Sequence, residues 1–185
     1  MTFTLMPNKC FFVKGVGYHK DKLASFEAAL RDAAIEKYNL VYISSIFPPL
    51  CKIVNRAEAL EELKPGQLVF CVMARIETNE PNRLLSAAIG LALPKDRLKH
   101  HGYISEHHAY GENSKFAGEY AEDLAATMLA TTLGIPFDPD IAWDERKQIY
   151  KSSGHIFTTH YYSQSAKGNL QGLWTTVIVS AVFLL

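Results

Sequence analysis

The sequence predicts an α+β domain, and three observations carry that prediction. β-prone apolar runs outnumber helical patterns, the two do not alternate as βαβ units, and no internal repeat is present. The 185 residues include 48% hydrophobic side chains, enough for one well-buried core without disulfides or a structural metal. Lysine plus arginine equals aspartate plus glutamate, 19 of each. That balance and the lack of a basic block exclude an electrostatic nucleic-acid or membrane-surface binder.

The elements follow in order. Phe11-Phe12-Val13-Lys14 reads as a short strand, and Gly15-Val16-Gly17 as the turn that ends it. These glycines lack the third glycine of a dinucleotide fingerprint. From Leu23 to about Tyr38 the spacing predicts a helix whose stripe is Leu23, Phe26, Leu30, Ala33 and Ala34. Asn39 to Ile46 is an apolar strand that carries Ser44 and Ser45 into Pro48-Pro49. Proline has no N–H to give a ladder, so the strand must stop there.

Extended structure resumes at Cys51–Val54, and Arg56 to Leu63 is a short helix ended by Lys64-Pro65-Gly66. Gln67–Ile76 is a strand, and Thr78–Asn82 a loop or hairpin turn. Leu84–Leu93 is assigned to the sheet, although its alanines favour helix. In the strand from Gly102 to His108, alternation places Ile104, Glu106 and His108 on one face and Tyr103, Ser105 and His107 on the other. Asn113 or Ser114 opens the longest helix, through about Leu133, with Phe116, Tyr120, Leu124, Met128 and Leu129 as its apolar face and Gly134 and Pro136 as its stop. Asp138–Asp140 reads as a turn, Trp143–Tyr150 as a short helix and Ile156–Tyr162 as a strand. Ser163–Gly172 reads as a polar loop, and Leu173–Leu185 as a buried strand. That last run is too short for a membrane span, which needs roughly 20 apolar residues. No secretory signal is expected at the start, where Met1–Met6 runs straight into Pro7. Cys10, Cys51 and Cys71 form no CxxC pair and read as buried, reduced thiols of a cytoplasmic protein.

The candidate chemistry is sparse. His100-His101 and His107-His108 are adjacent pairs, and neighbours on a strand point to opposite faces, so no metal site is expected from them. No GxSxG elbow surrounds Ser44 or Ser45. Glu106 is either a strand-end acid facing water or a carboxyl held against apolar walls. In the second case its pKa rises and it can donate a proton near neutral pH. Glu27 lies on or beside the helical stripe, four residues before Arg31. It reads either as a helix-edge partner of Arg31 or as an acid aimed into a pocket.

Asn39-Leu40-Val41-Tyr42-Ile43-Ser44-Ser45-Ile46-Phe47-Pro48-Pro49 resembles the processing motif of the pyruvoyl-dependent arginine decarboxylases. Leu85–Gly90, Ala92–Asp96 and Gly102-Tyr103-Ile104-Ser105-Glu106 resemble that family's later blocks, in the right order. The resemblance covers essentially the whole chain as one domain, 1–185. It implies a four-layer αββα sandwich with antiparallel-rich sheets, assembled as a trimer with active sites between protomers. It implies self-cleavage between Ser44 and Ser45 into chains 1–44 and 45–185, with Ser45 becoming a covalent pyruvoyl group. It further implies decarboxylation of L-arginine to agmatine through a Schiff base on that group, with Glu106 returning the proton to Cα and Asn39 in the active site. Glu27 matches the position of a family aspartate that contacts the guanidinium. Six residues of strand span about 20 Å, so Asn39 reaches Ser45 only around a bend or acts on another copy's site. Two alternatives stand beside this reading: an unprocessed structural or binding subunit with the same fold, and a decarboxylase for another cationic amino acid.

Overall fold

The structure is a computed structural model that describes residues 5–135 and 157–185. The predicted turn at 138–140, the predicted helix at 143–150 and the start of the strand at Ile156 lie outside the described residues. Within them the fold is α+β, with nine strands and three helices. In order these are β1 (Lys9–His19), α1 (Lys22–Asp32), β2 (Asn39–Tyr42), β3 (Ile46–Phe47), β4 (Lys52–Ile53), α2 (Arg56–Glu62), β5 (Leu68–Thr78), β6 (Leu84–Pro94), β7 (Gly102–Tyr110), α3 (Ser114–Thr132), β8 (Phe157–Lys167) and β9 (Trp174–Leu184). They form two mostly antiparallel sheets, β2-β5-β9-β1-β4 and β3-β7-β6-β8. Only the short edge strands β2 and β4 pair in parallel, with β5 and β1.

The main core lies between the sheets. Val177, Val179, Ala181 and Phe183 of β9 meet Leu85, Ala87, Ile89 and Leu91 of β6 and Ile104 of β7 there. The other face of β9, through Ile178 and Val182, packs with Phe11, Ala29 and Val69 in a second core beneath α1. Because β9 is buried on both faces, it reads as a mostly apolar stretch rather than an alternating one.

Several expectations are corrected. Gly15 and Gly17 do not end β1; the strand runs through both and pairs with β9 from Lys9 to His19. Helix α1 lies so close that a Cβ at either glycine would sit 2.1 Å from a helix carbonyl, that of Ala29 or Ser25. The buried face of α1 is accordingly Ser25 and Ala29, and Leu23 at the predicted stripe is 76% exposed. The helix ends at Asp32, short of Tyr38, because Ala34 turns to a φ of 60° and the Ile35 N–H closes back on the Leu30 carbonyl.

The same close approach recurs on the second sheet. A Cβ at Gly90 would meet the Ala121 carbonyl at 2.0 Å, and α3 buries Ala117, Ala121, Ala125 and Leu129. The predicted apolar face is therefore wrong in its larger members, since Phe116 and Tyr120 are more than half exposed. Of the β6 alanines, which favour helix, Ala88 and Ala92 serve the contact with α3. β8 continues to Lys167, where a loop was expected, by pairing with β6 as far as Leu84. Residues 79–83 form no hairpin: they carry the chain from β5 in one sheet to β6 in the other.

The opening strand is also not continuous. β2 ends at Tyr42, opposite Cys71 of β5. The Ile43 N–H still reaches the Cys71 carbonyl, at 3.0 Å, and the chain then leaves that sheet. It re-enters structure as β3, paired with β7 through Ile46↔Tyr103 and Phe47↔Gly102. The Ser44–Ser45 peptide thus bridges the two sheets. Two residues of pairing hold little, at about 1 kcal/mol net per hydrogen bond. Full burial of Phe47 against Phe183 contributes about 2–3 kcal/mol and is the main anchor of β3.

Candidate active site

The break between the sheets assembles the site. Ser44 is exposed and Ser45 half-buried. The Ser45 carbonyl accepts from the Ile104 N–H at 2.8 Å, which fixes Ser45 two positions along β7 from Glu106. The Ser45 hydroxyl is near enough to the Glu106 carboxyl to favour its charged form. The alternation read from sequence is correct: Ile104 is buried in the core between the sheets, whereas Ser105 donates to the Ala121 carbonyl of α3 on the opposite face.

The departure of β2 also serves Glu106. β5 loses its neighbour after Cys71, which opens the next N–H on that side, from Met73, to a side chain from the other sheet. The Met73 backbone faces the Glu106 carboxyl and favours its charged form. Burial pushes the Glu106 carboxyl above the ordinary carboxylate range, although the Met73 N–H, the His108 charge and the Ser45 hydroxyl pull it the other way. The carboxyl keeps one side open to solvent. A carboxyl in this setting is suited to carrying a proton: it holds one more tightly than a free glutamate yet stays reachable from solvent.

Sequence reasoning missed three contributors here. Tyr42 donates to the Met73 sulfur at 3.2 Å, and burial raises its own pKa. Met73 acts through its backbone, which no residue pattern reveals. His108 was weighed only as a metal ligand, yet its place two residues after Glu106 already put both on one face. It borders an open cavity of about 300 Å³ lined also by Lys22, Arg75, Glu77 and Tyr110. The acid of that cavity is already paired. Burial works to raise the Glu77 carboxyl, but Lys22 at 2.7 Å and Arg75 at 3.1 Å outweigh it and hold the group below its usual range.

Asn39 and Glu27 lie elsewhere. Asn39 is exposed at the start of β2 and its side-chain amide donates to the Gly66 carbonyl at 2.7 Å. Glu27 is on the outer side of α1 and accepts from Arg31, the helix-edge pairing foreseen from their spacing. The three cysteines are buried and free, and burial pushes Cys51 up to about 12 and Cys71 up to about 11. Among the described residues, no group of three or more His, Cys, Asp or Glu side chains could hold a metal ion. No helix among them is long and apolar enough to cross a membrane.

Fold and site together define an α+β protein built on a serine–carboxylate pair at a break between two sheets. Comparison with known proteins places it more narrowly. The family model described as pyruvoyl-dependent arginine decarboxylase matches residues 9–185. A protein of Methanococcoides burtonii named pyruvoyl-dependent arginine decarboxylase is 65% identical over 181 residues, covering 98% of this chain and 100% of that one. The pyruvoyl-dependent arginine decarboxylase 2 of Methanosarcina mazei is 62% identical, covering 97% and 98%. A probable pyruvoyl-dependent arginine decarboxylase of Chloroherpeton thalassium is 60% identical, covering 98% and 99%. The chain belongs to the pyruvoyl-dependent arginine decarboxylase family.

Proposed function

We propose that this chain cuts itself between Ser44 and Ser45 and that the processed protein decarboxylates L-arginine to agmatine and carbon dioxide. The observation that carries the proposal is the Ser45 hydroxyl beside Glu106 at the crossing between the sheets. The residues present suit a group made in place. Ser45 is half-buried, the chain after it is pinned by Ile104 and Phe47, and the chain before it is pinned by Cys71, so both ends keep their anchors after a cut. The pyruvoyl group supplies the electron sink that decarboxylation of an amino acid requires. Glu106 takes the Ser45 hydroxyl proton during cleavage and, in the decarboxylation, delivers a proton to the substrate Cα. The Met73 backbone favours the charged form of that carboxyl, and the exposure of Glu106 leaves it reachable by substrate.

The assembly follows from what one chain does not bring together. Asn39 and Glu27 do not converge on Ser45, and the edge strand β2 leaves Tyr42 and neighbouring Leu68 more than half exposed. We read this edge as the contact of a homotrimer in which a neighbour supplies Asn39 and Glu27 to the site. Glu27 then recognises the guanidinium, a planar cation suited to a carboxylate. The sheets face each other, α1 lies on one outer side and α3 on the other, which supports a four-layer αββα sandwich. A cytoplasmic setting agrees with three reduced thiols.

Carbon dioxide release measured across arginine, lysine, ornithine, histidine and aspartate tests the substrate. Arginine is expected to lead by at least about tenfold, given one charge-assisted bidentate contact. Equal release from lysine would transfer the assignment to another cationic amino acid.

A further inference from the structure

The peptide to be cut sits in a tight turn of its own. The Ile46 N–H donates to the Ser44 carbonyl at 2.8 Å, closing a three-residue turn centred on Ser45. The Ser44 carbonyl is the one a Ser45 hydroxyl must attack. β3 is an edge strand, and the residue before Ile46 already uses its carbonyl to accept from Ile104 of β7. Successive backbone groups of a strand point to opposite sides, so the Ile46 N–H faces away from β7 and back over Ser44. The donor is held from two directions, with Phe47 buried on one side and Ile43 bonded to the Cys71 carbonyl on the other.

We propose that the backbone N–H of Ile46 is the oxyanion donor of the self-cleavage. This deepens the function proposed above and rests on Ser45 being the attacking residue. Ser45 Oγ forms a bond to the Ser44 carbonyl carbon, its proton passes to the Glu106 carboxylate, and the carbonyl π pair moves onto the Ser44 oxygen. The charge develops against the Ile46 N–H, which is already in place. Collapse restores the carbonyl and breaks the C–N bond, and Glu106 returns its proton to the leaving nitrogen, leaving an ester. No co-reactant enters this step. The donor gains strength as the oxygen becomes anionic, so it favours the transition state over the resting peptide.

The test replaces the Ile46 amide by an ester, through an α-hydroxy acid introduced at that codon, and follows cleavage of the purified full chain by intact mass. The expected result is conversion to chains 1–44 and 45–185 slowed at least about tenfold, as loss of an oxyanion donor requires. The same ester at Ile53, on exposed β4, is expected to match the parent. Thermal unfolding of each variant in a Ser45→Ala background reports whether the fold survives. An Ile46 ester variant that is folded and cleaves at the parental rate overturns the proposal, as does an Ile53 ester slowed as much as the Ile46 ester. A parent chain that stays whole would instead overturn the reading of Ser45 itself.

Discussion

Ser45 and Glu106 meet within one chain, whereas Asn39 and Glu27 sit on its surface with local partners already in hand. The first pair is brought together by long-range structure: β3 joins β7, β2 leaves β5, and the carboxyl of one sheet faces the backbone of the other. The second pair is held by short-range bonds, to Gly66 and Arg31, that an isolated chain can satisfy alone. Groups that do chemistry on the chain itself can be placed by the fold of one chain. Groups that only meet substrate can arrive with a neighbour. On this account the folded single chain holds the self-cleavage site and half of the decarboxylation site.

The largest effect expected from breaking that division is at Glu106. Glu106→Gln keeps the shape and the acceptor oxygen but cannot carry the proton. It should slow self-cleavage and, per chain that does complete it as counted by intact mass, lower kcat for arginine by about 10²–10⁴-fold with little change in KM, measured by carbon dioxide release. An equal loss in KM alone would make Glu106 a binding group. Next comes complementation. Ser45→Ala and Asn39→Ala chains should each be inactive alone. Co-expressed in equal amounts, they should regain roughly a quarter of parental activity if each site draws the two residues from different copies of a symmetric ring. No recovery would return Asn39 to its own chain's site.

A smaller effect is expected at Glu27. Glu27→Gln should raise KM for arginine about tenfold, with kcat nearly unchanged, through loss of a charged contact. Its thermal unfolding should match the parent, because an exposed pair with Arg31 contributes little to stability. The smallest effect concerns pH. The Glu106 carboxyl binds its proton more tightly folded than unfolded. Its contribution to stability is therefore full below the unfolded carboxylate pKa and is lost as pH rises through the higher folded value. Denaturant unfolding of the uncleaved Ser45→Ala chain should show a slight decline across that window, and adding Glu106→Gln should flatten it.

Much of this was readable in the sequence wherever the signal was local. The strand positions of Ile104, Glu106 and His108, the cap at Asn113 and the buried C-terminal strand all follow from alternation, capping and apolar length. What failed depended on partners distant in sequence. Gly15 and Gly17 look like a turn until α1 is laid across them. The larger side chains of α3 look like its core face until Gly90 and the alanines of β6 draw the helix down on its small residues. The strand from Asn39 reads as continuous because nothing in its composition shows that its two halves belong to different sheets. The strand face of Glu106 leaves open whether it meets water or apolar walls, and the Met73 backbone beside it is free only because β2 departs.

The central claim is that Ser45 turns on its own backbone, and intact mass of the purified chain tests it most directly. Incubated parent protein should resolve into two species corresponding to residues 1–44 and 45–185, the larger reacting with a carbonyl reagent at its new N-terminus, while Ser45→Ala stays a single chain and inactive. A parent that remains one unbroken chain while releasing carbon dioxide from arginine, or a Ser45→Ala protein as active as the parent, would contradict the account.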